Sequence, residues 1–144
     1  MRYTLPQPFE DLGHTADLGV RVRGATADET LARLVLALAS LLAGGGEVAA
    51  EREERIAVAG GPGLALSAVA LLREVLYRFA AGRLLPAACE PISIRPDGAE
   101  AIVAFGRHDP ERHGEGADVK AVTQHAARFE REGDGWVAQV VFDV

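Results

Sequence analysis

Apolar and polar residues alternate through Leu18-Gly19-Val20-Arg21-Val22-Arg23, the pattern of a strand with one buried face. A helix start follows. Thr26 and Glu29 have the spacing of a capping box, and Leu31, Leu34, Val35, Leu38, Leu41 and Leu42 then recur every three or four residues, tracing one apolar face. Gly44-Gly45-Gly46 stops that helix. Residues 51–55 are charged and read as a solvated lead into a short strand, Ile56-Ala57-Val58. After the break at Gly60-Gly61-Pro62-Gly63, a second stripe of Ala68, Leu71, Leu72, Val75, Leu76 and Phe79 predicts another helix, with Arg73, Glu74 and Arg78 outward and Gly82 and Pro86 ending it. The rest reads as strands. Residues 91–95 and 99–105 flank Pro96-Asp97-Gly98, and 119–132 and 136–144 flank Gly133-Asp134-Gly135, two hairpin signals. Between the hairpins, residues 107–116 form a polar segment expected to be a surface loop. The predicted order is βαβαββββ: one α+β domain over residues 1–144, two helices on a largely antiparallel sheet.

Composition narrows the class. A chain of 144 residues can close a core without staples. Its single cysteine, Cys89, excludes an internal disulfide framework and a cysteine-based zinc site, and suits a reducing, cytoplasmic setting. Fifteen Lys and Arg against 21 Asp and Glu give a net charge of −6, which argues against autonomous binding to nucleic acid. The start lacks the pattern of a signal peptide. The longest apolar runs, near 34–43 and 64–72, fall short of the roughly 20 residues needed to cross a bilayer, so no membrane is expected.

No phosphate-binding GxxxxGK[ST] loop and no Gly-x-Ser-x-Gly elbow is present. Cys89 reads as a small buried hydrophobe rather than a nucleophile. Of four histidines, His108 and His113 share the polar loop with Asp109, Glu111 and Glu115, and are expected in a solvated segment or a mobile contact surface. His125 falls in a predicted strand, on one face with Val119, Ala121, Thr123, Ala127 and Phe129, and is expected to be a hydrogen-bonded core residue. Two acids stand in odd places. Asp17 follows His14-Thr15-Ala16 at the mouth of the first long strand, and Asp143 closes a strand built from Trp136, Val137, Val140, Val141 and Phe142, with Val144 after it. An acid there can simply mark where a strand leaves the core. If the strands lie side by side, Asp17, Asp143 and a carboxylate on Val144 would instead converge as hard oxygen donors, a cluster that Ca²⁺ or Mg²⁺ would neutralise.

The segments Leu12-Gly13-His14-Thr15-Ala16-Asp17-Leu18-Gly19-Val20, Val119-Lys120-Ala121-Val122-Thr123 with His125, and Val140-Val141-Phe142-Asp143-Val144 resemble the archease family, in order and across nearly the whole chain. Gln124 stands where that family more familiarly has an aromatic residue. The resemblance implies a strand-helix-strand-strand module with a second unit inserted. It also implies a cytoplasmic accessory protein, not itself an enzyme, that activates the GTP-dependent RtcB-type RNA ligase by promoting guanylylation of the ligase histidine and repeated turnover in tRNA splicing and RNA repair. RNA and GTP would be met through the ligase, with self-association left open. On the same resemblance Asp17, Asp143 and Val144 hold a divalent metal ion, and His14, Lys120, Thr123 and His125 line the site. Two other readings are kept: a stand-alone metal-dependent hydrolase of phosphate esters using His14 or His125 as base, and a plain interaction module.

Overall fold

A computed structural model of the chain describes residues 1–13, 18–44 and 47–144. Its elements run β1 (Tyr3–Thr4), β2 (Glu10–Asp11), β3 (Leu18–Gly24), α1 (Ala27–Ala43), β4 (Arg52–Ala59), α2 (Leu64–Gly82), β5 (Leu84–Arg95), β6 (Gly98–Arg107), α3 (Pro110–His113), β7 (Ala121–Glu132) and β8 (Gly135–Asp143). From β3 onward this is the predicted βαβαββββ, with the one-turn α3 added. The strands divide into two four-stranded antiparallel sheets, β1-β5-β6-β4 and β2-β3-β8-β7.

Helix α1 begins where the capping residues place it. Thr26 Oγ1 accepts from Glu29 N at 3.1 Å, and Glu29 Oε1 reaches back to Ala25 N at 2.8 Å, one residue beyond the usual capping-box partner. Gly44 ends the helix in the left-handed conformation. The expected single apolar face is too narrow. Ala32, Leu36, Ala37 and Ala39 are as fully buried as Leu34 and Leu38. The cause is position: α1 packs against β5 of the first sheet and against β3 and β8 of the second, so a helix apolar on nearly every side is what the site requires. Helix α2 lies on β4, β5 and β6 and reaches β7, with its predicted stripe buried and Arg73 and Glu74 exposed.

Two strands run further than the pattern indicates. Residues 52–55 belong to β4, which is a sheet margin and pairs only with β6. Strand β5 starts at Leu84, immediately after Arg83 closes α2 in the left-handed conformation. Pro86 and Pro91 hide it from a propensity reading. Both stand where the β5–β6 register shifts, which is where a sheet accepts proline. Cys89 is fully buried in β5. Burial, with a smaller contribution from the Glu90 charge, pushes its thiol up to about 12, so it remains a protonated apolar filler, as expected. Among the described residues no helix is long and apolar enough to cross a membrane.

Candidate functional site

Strand β8 is interior to its sheet, with β3 on one side and β7 on the other. Its alternation sends Ala138, Val140 and Phe142 into the core and puts Gln139, Val141 and Asp143 on the outer face. The register pairs Leu18 with Phe142 on the β3 side and Ala121 with Asp143 on the β7 side. Asp143 is exposed at this end, and its carbonyl accepts from Lys120 N at 2.8 Å, which extends the β7 pairing by one bond. Lys120 is itself exposed. Thr123 is half-buried, and its hydroxyl donates to Val141 O at 3.0 Å, so it serves the sheet rather than presenting a free group. Arg73 Nε donates to Val122 O at 3.0 Å and ties α2 beneath this strand.

Asp143, Lys120 and Thr123 are therefore brought to one end of the sheet. Val144, 41% exposed, follows directly. His14 and Asp17 lie outside the described residues. Asp143 and Val144 are the described part of the expected metal-binding set. Asp143 is exposed, and among the described residues no cation lies within ion-pair distance of it. Among the described residues alone no group of three His, Cys, Asp or Glu is placed to hold a metal ion.

The histidines correct the sequence reading. His125 is exposed, not a core residue. Thr123 pairs with Val141 and Arg128 with Gln139, so residues 124–127 stand opposite Val140 alone. Three extra residues, an odd number, reverse the facing of the strand. Val122 and Phe129 both enter the core, where regular alternation would have separated them.

His108 and His113, expected in solvent, are only 7% and 4% exposed, and their rings stack at 5.9 Å. His113 Nδ1 accepts from Asp109 N at 2.9 Å, so the proton is on Nε2, which donates to Glu47 O at 2.8 Å. By the same logic His108 Nε2 donates to Gly114 O at 2.8 Å while Nδ1 faces Arg83 Nη2 at 3.3 Å. The loop they hold also caps α1. Gly116 N donates to Leu42 O at 3.2 Å and Ala117 N to Leu41 O at 2.8 Å, answering carbonyls that the helix end leaves free. A Cβ on Gly116 would lie 1.9 Å from Leu41 O, so the approach requires glycine.

A polar network that the sequence reading missed crosses the outer face. Arg21 bonds Gln139 Oε1 through Nε at 3.2 Å and Nη2 at 2.8 Å, and Glu10 at 3.4 Å. Arg23 pairs with Glu10 and with Glu132, the latter at 2.7 Å, and the Arg23 guanidinium holds the Glu132 carboxyl below its ordinary range. The available signal was Gln139, a polar residue in the middle of the apolar run Trp136–Phe142.

The chain matches the model of the Archease protein family (MTH1598/TM1083) over residues 9–144. The chain belongs to the archease family. It is 30% identical to protein archease of Methanosarcina acetivorans, over 94% of this chain and 95% of that one. It is 32% identical to protein archease of Pyrococcus furiosus, over 94% and 98%. The fold is similar to the solution structure of Methanobacterium thermoautotrophicum protein 1598, with a TM-score of 0.71 at 24% identity, covering 94% of this chain and 98% of that one. It is also similar to the crystal structure of an archease described as a possible chaperone from Thermotoga maritima, with a TM-score of 0.57 at 23% identity, over 97% and 98%. The archease match includes both Asp17 and Asp143, so both acidic positions fall within the family region.

Proposed function

We propose that this archease is an accessory protein of an RtcB-type RNA ligase. In this reading it promotes GTP-dependent guanylylation of the ligase histidine and sustains repeated turnover in tRNA splicing and RNA repair, in the cytoplasm. Family membership supports the reading, and one structural observation carries it to residues. Leu18, which follows Asp17 in the chain, pairs with Phe142, which precedes Asp143. The segments that lead to the two acids are thus neighbouring strands, and Asp143 opens to solvent at their end.

Asp17, Asp143 and Val144 would hold a Ca²⁺ or Mg²⁺ ion, which when bound offsets phosphate charge and orients in-line transfer. The chain's own contribution is placement. Pairing on both sides of β8 fixes the backbone that carries Asp143, and the bonds from Lys120 N and Thr123 Oγ1 secure the β7 side. The Lys120 side chain, with His14 from the adjoining segment, would border the ion and meet phosphate. A net charge of −6 fits a protein whose partner, not itself, grips RNA and nucleotide.

The test is multiple-turnover ligation by a cognate ligase with Asp17→Ala or Asp143→Ala protein. Both variants should keep the wild-type circular dichroism spectrum and thermal midpoint while stimulation is abolished. Full stimulation by both, or turnover of phosphate esters by the purified protein with Mg²⁺ or Mn²⁺ and no ligase, would overturn the reading.

A further inference from the structure

The interruption of β7 is costly by construction. Residues 124–127 leave the pairing opposite Val140, and Ala126 adopts a left-handed conformation at φ 54°. For a residue with a Cβ that conformation is strained, because the Cβ crowds the following carbonyl oxygen. The bulge leaves Gln124, His125 and Ala126 exposed. Backbone strain maintained at an exposed bulge is characteristic of functional sites, where a bulge re-aims a side chain.

Specific groups hold it. Gln139 Nε2 donates to Ala126 O at 3.1 Å. The orientation of that amide is forced, because Arg21 only donates and bonds Oε1 through two nitrogens, leaving the NH₂ to face the bulge. Arg21 is in turn bonded to Glu10, so the chain of contacts runs from β2 through β3 and β8 to β7. From Val140, opposite the bulge, to Asp143 is three residues, about 10 Å along the strand. That distance is well within the footprint of one protein partner.

We infer that Gln139 is a positioning residue, which fixes the 124–127 bulge so that His125 meets the same partner that engages the acidic end of β8. This rests on the ligase reading above. His125 thereby becomes a contact to the ligase, and the Arg21–Gln139 pair becomes its support.

The test measures ligase stimulation against accessory-protein concentration for the full chain, Gln139→Glu, His125→Ala, the double variant and Asp143→Ala. Gln139→Glu retains the acceptor for Arg21 and removes the donor to Ala126 O. Each single change should raise the half-saturating concentration about tenfold, and the double should be no worse than His125→Ala alone, because the two act through one contact. His125 is exposed, so its removal reads the contact without risk to the fold. Loss of stimulation in Asp143→Ala with an unchanged half-saturating concentration for His125→Ala overturns this inference and leaves the ligase reading standing. Additive losses in the double variant also overturn it, since Gln139 would then act apart from the bulge. Full stimulation by Asp143→Ala removes the reading and the inference together.

Discussion

The loop over residues 107–116 and the bulge over residues 124–127 both carry histidine in polar sequence, yet they treat it in opposite ways. In the loop, both nitrogens of His113 are bonded to backbone groups, and His108 spans Gly114 O and Arg83. These rings are buried because a non-repetitive segment has N–H and C=O groups to satisfy, and imidazole offers one donor and one acceptor in a rigid frame. In the bulge the support comes from Gln139 on the neighbouring strand, and His125 remains in solvent. A histidine serves the fold where it supplies the backbone's missing partner. Where another side chain supplies it, the histidine is left free for something else.

The sharpest way to break this contrast is His113→Ala. It removes the partner of Asp109 N–H and of Glu47 O and empties the space of a ring only 4% exposed, and should cost about 2–4 kcal/mol in chemical denaturation. A loss below 1 kcal/mol would mean water replaces the ring and the loop is not held by it. A smaller effect belongs to the bulge strand. Arg23 holds the Glu132 carboxyl below its ordinary 4.5, so their bond stabilises fully above that value and weakens as pH falls through the lowered one. Glu132→Gln should therefore make the decline in thermal midpoint below pH 4.5 shallower and leave its shape near neutrality unchanged, as read by melts across pH. Smallest of all, His125→Ala should change stability by no more than about 0.5 kcal/mol. A loss comparable to that of His113→Ala would erase the distinction between the two regions.

The helices were legible because their signals are local: Thr26 with Glu29, the glycine at 44, and the leucine spacing between them. Both hairpins closed where Asp97 and Asp134 indicated, with Arg95 paired to Gly98 and Glu132 to Gly135. What escaped depends on contacts between distant segments. Nothing around Leu36 says that a second sheet covers that side of α1. Pro86 and Pro91 contradict a strand until the register shifts that accommodate them are known. The bulge at 124–127 inverts a strand's facing without a glycine to mark it, and regular alternation therefore puts His125 on the wrong side. At the candidate site, Asp143, Lys120 and Thr123 stand out in the sequence, but their meeting at one sheet end depends on the β7–β8 register, and the Arg21–Gln139 support on the register of three strands.

The margins of the two sheets have a consequence for life at high concentration. A long, regular row of unpaired backbone groups recruits strands from other molecules and seeds fibrils. Here β1 and β2 are two residues each, β7 is broken at Ala126, and β4, the one long unbroken margin described, carries Arg52, Glu53, Glu54 and Arg55 in succession. An incoming chain would have to strip water from those charges to dock. Pairing with a further strand is thus opposed by the same charged stretch that, read as sequence, is a solvated lead into a short strand.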